Sequence, residues 1–159
     1  MTRYQWTVFF SAWLGWGFDV FDALLFNLVA PVCVPQLLGV APGDPRVGAA
    51  TGAITALLLI GWAMGGLLFG QLADRVGRAR TLFLTMVVYA SATAACALVP
   101  NVPLLVLFRF VAALGIGGEW AAGASLVAEV VPPERRIAAG ALLYTSSPLG
   151  IFLAAFVSE

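Results

Sequence analysis

Four ionisable residues lie within long apolar stretches of the sequence, where charged side chains are rare. They are Asp19, Asp22, Arg109 and Glu119. Each costs about 2.5–3.5 kcal/mol at the centre of a membrane, so the four unpaired would together cost ~10 kcal/mol. Alanine or leucine would be less costly at every one of these positions. We therefore interpret them as a polar path for a solute or a proton; the alternative is a buried ion pair that fixes helix register.

The spacing of these residues predicts where they meet. Asp19 and Asp22 are three positions apart and share one helix face. Counted from helix ends near Ala30 and Pro103, Asp22 and Arg109 lie at similar depths of about 12 Å and about 9 Å. Glu119 lies ~15 Å further along its helix than Arg109. The sequence thus predicts a charge-lined cavity between the first and fourth helices.

The composition predicts that these charged residues lie on membrane-spanning helices. Hydrophobic residues make up 62% of the 159 residues and charged residues 10%, against roughly 25% charged residues in a typical soluble domain. This balance predicts an all-α integral membrane protein in contact with lipid. Stretches of roughly 20 apolar residues are long enough to span a bilayer. Five qualify, at about Trp6–Ala30, Thr51–Leu72, Thr81–Val99, Pro103–Val130 and Ile137–Val157.

Missing residue types exclude several kinds of chemistry. The chain has no His, which excludes a Ser-His-Asp site and any His-ligated metal. All eight basic residues are Arg, so neither a Walker-type phosphate loop nor a Schiff-base lysine is present. Cys33 and Cys96 stand alone and are interpreted as packing residues rather than a metal or redox site. We expect no cofactor, no metal and, because the net charge is zero, no nucleic-acid partner.

Proline and glycine mark the connections between the spans. The first connection is predicted to be an irregular loop because it is crowded with Pro31, Pro35, Gly39, Pro42, Gly43 and Pro45. Pro100 and Pro103 bracket a predicted tight turn, and the pair Pro132-Pro133 ends the fourth span.

The arginines predict the orientation of the chain. Six lie on one side of the predicted spans, namely Arg3, Arg75, Arg78, Arg80, Arg135 and Arg136. Only Arg46 lies on the other side. Because cytoplasmic segments carry the excess of Lys and Arg, the N-terminus is predicted to be cytoplasmic and Glu159 to lie outside an inner membrane.

Small residues interrupt the second and fourth spans. Gly61 and Gly65, and likewise Gly66 and Gly70, have the four-residue spacing that lets helices approach closely. The fourth span carries Gly115, Gly117, Gly118 and Gly123. We interpret these glycines as helix-packing residues of a compact bundle.

The connection after the second span carries a recognisable motif. It reads Gly70-Gln71-Leu72-Ala73-Asp74-Arg75-Val76-Gly77-Arg78-Ala79-Arg80. This run resembles the G-x-L-A-D-R-x-G-R-[RK] signature of the major facilitator superfamily of secondary transporters. Ala79 stands where a second basic residue often follows, and Arg80 supplies the charge one position later.

Two further segments strengthen the resemblance. The run from Arg109 to Gly117 is similar to the R-x-x-x-G-x-G pattern of the family's fourth helix, with Ala113 in place of the first glycine. The run from Glu129 to Arg135 is similar to the E-x-x-P-x-x-R end of that helix in sugar-porter-like members. Together with the paired aspartates, these motifs are most similar to metabolite:proton symporters for sialate and lactate, and then to aromatic-acid symporters. The fifth span lacks the G-P-x-x-G-G pattern of drug antiporters.

The resemblance implies roles for the singled-out residues. It implies a cytoplasmic gate whose charges pair when the inside is closed, formed by Gly70, Asp74, Arg75, Gly77, Arg78, Arg80, Glu129, Arg135 and Arg136. It also implies that an aspartate of the first helix exchanges a proton while pairing with Arg109. The depth comparison favours Asp22 for that role, which leaves Asp19 and Glu119 to face the solute.

The resemblance covers nearly the whole chain, from about Trp13 onward, and implies a wider architecture. Family members have two six-helix halves, so residues 1–159 are expected to be an incomplete N-terminal half that needs the missing C-terminal half to transport. The expected function is secondary active transport of a small polar metabolite, a carboxylate or a sugar-like solute, with a proton. A membrane sensor of the same fold and a uniporter remain alternatives; an intramembrane enzyme using Asp19 and Asp22 is the least favoured.

Overall fold

The computed structural model describes residues 2–157, and every regular element in that range is helical. The helices are α1 (Arg3–Leu38), α2 (Pro45–Val76), α3 (Arg78–Cys96), α4 (Val102–Val130), α5 (Arg136–Tyr144) and α6 (Ser146–Val157). Within these residues, five segments are long and apolar enough to cross a membrane, with α5 and α6 counted as one. The predicted all-α fold class is therefore confirmed. The predicted outside location of Glu159 lies beyond the described residues.

Helix α1 begins at a side-chain cap and runs further than predicted. Thr2 and Gln5 form a reciprocal capping box at its start. The predicted loop after Ala30 was wrong at Pro31 and Pro35, because both lie inside the helix. Each proline removes one backbone N–H without ending the helix, and Val34, packed in the core, holds this turn in place. The helix ends at Gly39, whose φ of 65° is left-handed.

Helices α2 and α3 are joined by a single residue. Asp44 caps α2 by accepting from the Arg46 backbone N–H, and Pro45 occupies the first turn. Gly77 separates α2 from α3 with a φ of 103°, which favours glycine. Helix α3 ends at Cys96 rather than at the predicted Val99. The residue before Pro100 is disfavoured in helical geometry, so the chain turns before it.

The last apolar segment, Pro133–Val157, is one candidate span, as predicted, with a local irregularity at Thr145, whose φ of −69° and ψ of −12° remain in the helical region. A 3-10 turn, Pro133–Arg135, precedes α5, and the helix stops at Thr145 before α6 begins. Pro148 has no N–H to donate to the Tyr144 carbonyl. Nearby, the Thr145 hydroxyl donates to the Leu142 carbonyl and accepts from the Trp13 indole, each within 3.0 Å.

Glycines bring the helices into close contact. A Cβ on Gly117 would overlap the Trp62 carbonyl of α2, and one on Gly118 would overlap the Phe69 ring. On the opposite face of α4, a Cβ on Gly115 would lie 2.8 Å from the Tyr89 backbone nitrogen of α3. Helix α4 is thereby clamped between α2 and α3, and Gly150 of α6 meets α1 in the same manner.

Two separate apolar clusters hold the bundle together. The first includes Phe9 and Ala12 of α1 with Leu126 of α4, and the second includes Phe26 of α1 with Leu105 of α4. The four buried ionisable residues lie between the clusters in the order of the chain. We call this intervening region the polar layer; its members are Asp19, Asp22, Arg109 and Glu119.

Candidate membrane transport site

A buried ion pair joins α1 to α4. The Arg109 Nη1 atom donates to Asp22 Oδ2 over 2.7 Å, and the two side chains are only 10% and 9% exposed. The Arg109 guanidinium also lies 4.3 Å from the centre of the Phe26 ring, a cation–π distance. The structure thus joins the two residues that the depth comparison matched, and their role in proton coupling stays a prediction.

The other two carboxyl groups of the polar layer have no arginine partner. Asp19 and Glu119 are 3% and 4% exposed. Asp19 Oδ1 and Glu119 Oε1 have no hydrogen-bond partner among the described residues. Glu119 lies directly against Gly15, where a side chain would displace it. Both residues line a void of about 10 Å³, the size of one water molecule.

A larger cavity opens beside Asp19, between α1, α2 and α4. Its volume is about 560 Å³, within the range of small-molecule sites. We call it the central cavity; it is lined by Trp16, Asp19, Trp62, Ala63, Gly66, Leu67, Ile116, Gly117, Trp120 and Ala121.

Aromatic rings form much of the cavity wall. The ring centres of Trp16 and Trp120 are 3.9 Å apart, and Tyr144 supports Trp16 from behind at 4.6 Å. The sequence analysis did not single out these rings as a site. A signal was present, because Trp16 is three residues from Asp19 and Trp120 directly follows Glu119. Tyr144, which contacts both rings, is distant from them in the sequence and has no comparable signal.

Three of the predicted gate residues form a charged chain at one end of the bundle. Arg78 lies 3.2 Å from Asp74 on α2 and also pairs with Glu129 at the end of α4. Arg78 therefore ties α2 and α4 to the start of α3. Gly77 supplies the sharp turn that places Arg78 there, and Gly70 faces Ala121 of α4 at ordinary contact distance.

The remaining predicted gate residues are not brought into ion pairs. Within residues 2–157, Arg75, Arg80, Arg135 and Arg136 have no carboxylate partner. Arg136 donates to the Val131 carbonyl over 3.3 Å. The expected pairing of these four arginines with acidic groups is thus absent from the described structure, where Arg78 is the only predicted gate arginine that contacts a carboxylate. Their part in a gate stays a prediction.

The bundle, the buried ion pair and the loop motif define a class of protein. The sequence model described as Major Facilitator Superfamily matches residues 6–159. The chain belongs to this superfamily and is a multi-pass membrane protein.

Three individual transporters are similar to the chain over most of its length. The chain is 35% identical over 156 residues to the niacin transporter NiaP of Acinetobacter baylyi, covering 98% of this chain and 34% of that protein. It is 29% identical to the 4-hydroxybenzoate transporter PcaK of the same organism, covering 100% of this chain and 33% of the relative. It is 28% identical to the sialic acid transporter NanX of Escherichia coli, covering 92% of this chain and 34% of that protein. The chain spans about a third of the length of these relatives.

Proposed function

We propose that this chain is part of a secondary transporter that moves a small polar metabolite together with a proton by alternating access. The solute is a carboxylate or a sugar-like molecule, the classes that the transported compounds of the relatives include. The chain works with a second set of helices that closes the open side of the central cavity. The protein lies in an inner membrane, with its N-terminus and the Arg78 end of the bundle in the cytoplasm.

The observation that carries this proposal is the pairing of Arg109 with Asp22 inside an apolar bundle. The ion pair between Asp22 of α1 and Arg109 of α4 persists only while Asp22 is charged. A proton on Asp22 removes that charge, so protonation and opening of the pair are linked. Asp19 lies one turn away at the wall of the central cavity, where solute contact and proton binding influence one another.

The charged chain at the Arg78 end supports alternating access. Arg78 connects α2, α3 and α4 through Asp74 and Glu129, all of which are exposed or half-buried side chains. Exposed pairs contribute only about 0–1 kcal/mol each. A contact of that strength breaks and reforms readily, as a gate requires.

The test uses the protein that the complete reading frame encodes, reconstituted in vesicles. Accumulation of radiolabelled niacin, 4-hydroxybenzoate and sialic acid is measured with and without an inward proton gradient. We expect accumulation of one of them in wild type. Asp22→Asn abolishes accumulation but retains downhill exchange, and Arg109→Ala impairs both.

A matched control comes from Asp44, which is also paired with an arginine but lies outside the membrane-spanning part of α2. Asp44→Asn leaves accumulation unchanged. If wild-type transport is independent of the proton gradient, the protein is a uniporter. If the protein binds a ligand without transporting it, the protein is a sensor. If Asp22→Asn still accumulates the solute with unaltered pH dependence, another residue couples transport to the proton, and Asp19 is the next candidate.

A further inference from the structure

A small void inside the bundle is lined by two acidic residues, Asp19 and Glu119, and has room for one water molecule. We propose that it holds a water molecule through which Asp19 and Glu119 share a proton at neutral pH. The proposed function assigns the coupling proton to Asp22, so this inference adds a second proton-binding site. It does not depend on transport.

The first argument is the space. The void has a volume of about 10 Å³, and a buried water needs about 10–15 Å³ on the same measure. Its walls come from α1, α4 and α5 of this chain, so the packing of these three helices is sufficient to form it. Besides the two acidic residues, it is lined by Ala12, Trp16, Trp120, Gly123, Ala124 and Leu143.

The second argument is the set of carboxyl oxygen atoms without a protein partner. One oxygen of each group, Asp19 Oδ1 and Glu119 Oε1, is fully shielded, and Glu119 Oε1 lies against Gly15. The other oxygen of each group, Asp19 Oδ2 and Glu119 Oε2, retains some accessible surface and forms no hydrogen bond within residues 2–157. Because both residues line the void, these are the oxygens that a water molecule there can reach. A buried water forms roughly two to four hydrogen bonds, and the two carboxyl groups provide two of them.

The third argument is charge. Two ionised carboxylates beside one void repel each other, and each loses its hydration in an apolar bundle. A proton on one of them removes the repulsion. The protonated group also donates to the water, which in turn donates to the other carboxylate.

The charged and titratable neighbours are compatible with this shared proton. Within residues 2–157, Arg109 of α4 is held by Asp22 of α1 and forms no ion pair with either carboxyl group of the void. Tyr89 of α3 lines a groove beside Glu119, and Tyr144 of α5 packs behind the rings of the cavity; phenol groups are neutral at this pH. Helix α2 carries its charged residues only near its ends.

The two protonation states interconvert without another reactant. The Glu119 O–H bond breaks as its proton passes to the water oxygen, and a water O–H bond breaks as that second proton passes to Asp19. One water molecule and one shared proton are present before and after the exchange.

Infrared difference spectroscopy of the purified full-length protein measures carboxyl protonation through the C=O band. The contribution of the two residues is the part of the pH-dependent spectrum that Asp19→Asn or Glu119→Gln alters. In wild type we expect this contribution to titrate in two steps between about pH 4 and about pH 10, because coupled groups lose their protons one after the other. Both amide variants should lose the upper step. Without a neighbouring negative charge, the remaining carboxyl group releases its proton at a proton concentration about tenfold higher.

The same spectra test for the water molecule. Exchange into heavy-oxygen water shifts the O–H stretching band of a buried water and leaves the side-chain bands in place. We expect one such band in wild type and a displaced band in each amide variant, because a water donates more weakly to an amide oxygen than to a carboxylate. Asn and Gln keep the shape of the side chains they replace, so these variants should fold. Glu134→Gln, which alters an exposed carboxylate, should leave the titration and the water band unchanged.

Three results overturn the inference. An upper step that persists in either amide variant means that the two groups titrate independently. No titrating C=O band from the two residues means that both are ionised, as a cation from another part of the protein would cause. No water band, or one that neither amide variant displaces, means that no water joins them. The proposed function is tested separately by solute accumulation, so independent titration leaves the role of Asp22 standing, and failure to accumulate solute leaves the shared proton standing.

Discussion

At the scale of single residues, the Arg109–Asp22 pair makes a sharp energetic prediction. Removing one partner leaves the other charge buried and unpaired, which costs about 3–5 kcal/mol. Asp22→Asn and Arg109→Gln should therefore each lower the thermal stability of the protein in detergent. The double variant Asp22→Asn with Arg109→Gln should recover most of the loss, because no charge remains. Additive destabilisation in the double variant would show that the two side chains do not interact.

Asp44 makes a prediction about pH at the start of α2. Hydrogen bonds from the Arg46 guanidinium and backbone N–H lower the pKa of the Asp44 carboxyl below its ordinary value. A lowered folded-state pKa stabilises the cap at pH values above the ordinary pKa of about 3.9. That stabilisation is lost as the pH falls through the lowered value.

Hydrogen exchange at the first turn of α2, compared with an unstructured peptide at each pH, measures this effect. Protection should fall in the acid range below about pH 4 in wild type. Asn is as good a cap as Asp but does not titrate, so Asp44→Asn should keep its protection there. An identical acid loss in both proteins would place the titrating group elsewhere.

The sequence predicts the positions of some residues of the site and not of others. The meeting of Asp22 and Arg109 follows from the rise per residue in two helices and a shared membrane depth. The aromatic corner of Trp16 and Trp120 depends on how α1 and α4 are rotated about their axes. Tyr144, at the end of α5, contacts both rings. The rotation of each helix about its axis and the position of Tyr144 arise from tertiary packing, which spacing in one sequence does not encode.

At the scale of helices, glycine packing separates two otherwise similar substitutions. Gly117→Ala places a methyl group on the Trp62 carbonyl and should destabilise the protein by about 1–3 kcal/mol. Gly52, also within a helix, has no neighbouring atom within 4 Å of an added Cβ. Gly52→Ala should stabilise α2 by about 0.5–1 kcal/mol. Thermal melting of the two variants checks both signs, and equal effects would contradict the close α2–α4 contact.

The Arg78 chain predicts a kinetic effect at the end of α2. Asp74 lies at the negative end of the helix dipole and has Arg78 as its cationic partner. Asp74→Asn weakens that contact far from the central cavity, so transport should slow while solute affinity stays within a few fold. Glu134→Gln, which alters an exposed and unpaired carboxylate at the same end of the described bundle, is the matched control. Normal exchange rates in Asp74→Asn would reject the gate.

The elements themselves are predicted unevenly. Hydrophobic length predicts five spans, and five are present within residues 2–157. Prolines predict helix ends unevenly: Pro31 and Pro35 stay inside α1, while Pro132 follows the end of α4 as predicted. The outcome depends on the tertiary packing around each proline, which involves residues distant in the sequence.

At the scale of the whole molecule, the arginine distribution predicts topology. Single cysteines at Asp44→Cys and Asn101→Cys should react with an impermeant thiol reagent added outside intact cells. Gly77→Cys should not react until the membrane is opened. All three are placed in a background of Cys33→Ser and Cys96→Ser. Reaction of Gly77→Cys in sealed cells would reverse the proposed orientation.

The separation of the two apolar clusters by the polar layer has a mechanical consequence. Apolar packing joins α1 to α4 on both sides of the polar layer, and within the layer the two helices meet through the Arg109–Asp22 pair, the Trp16–Trp120 ring contact and the approach of Glu119 to Gly15. The crossing is therefore held along its length, by apolar packing at both ends and by polar and aromatic contacts between them. A tilt of α1 about the polar layer would separate one cluster while compressing the other, so the packing that holds the bundle together also limits how far α1 can tilt.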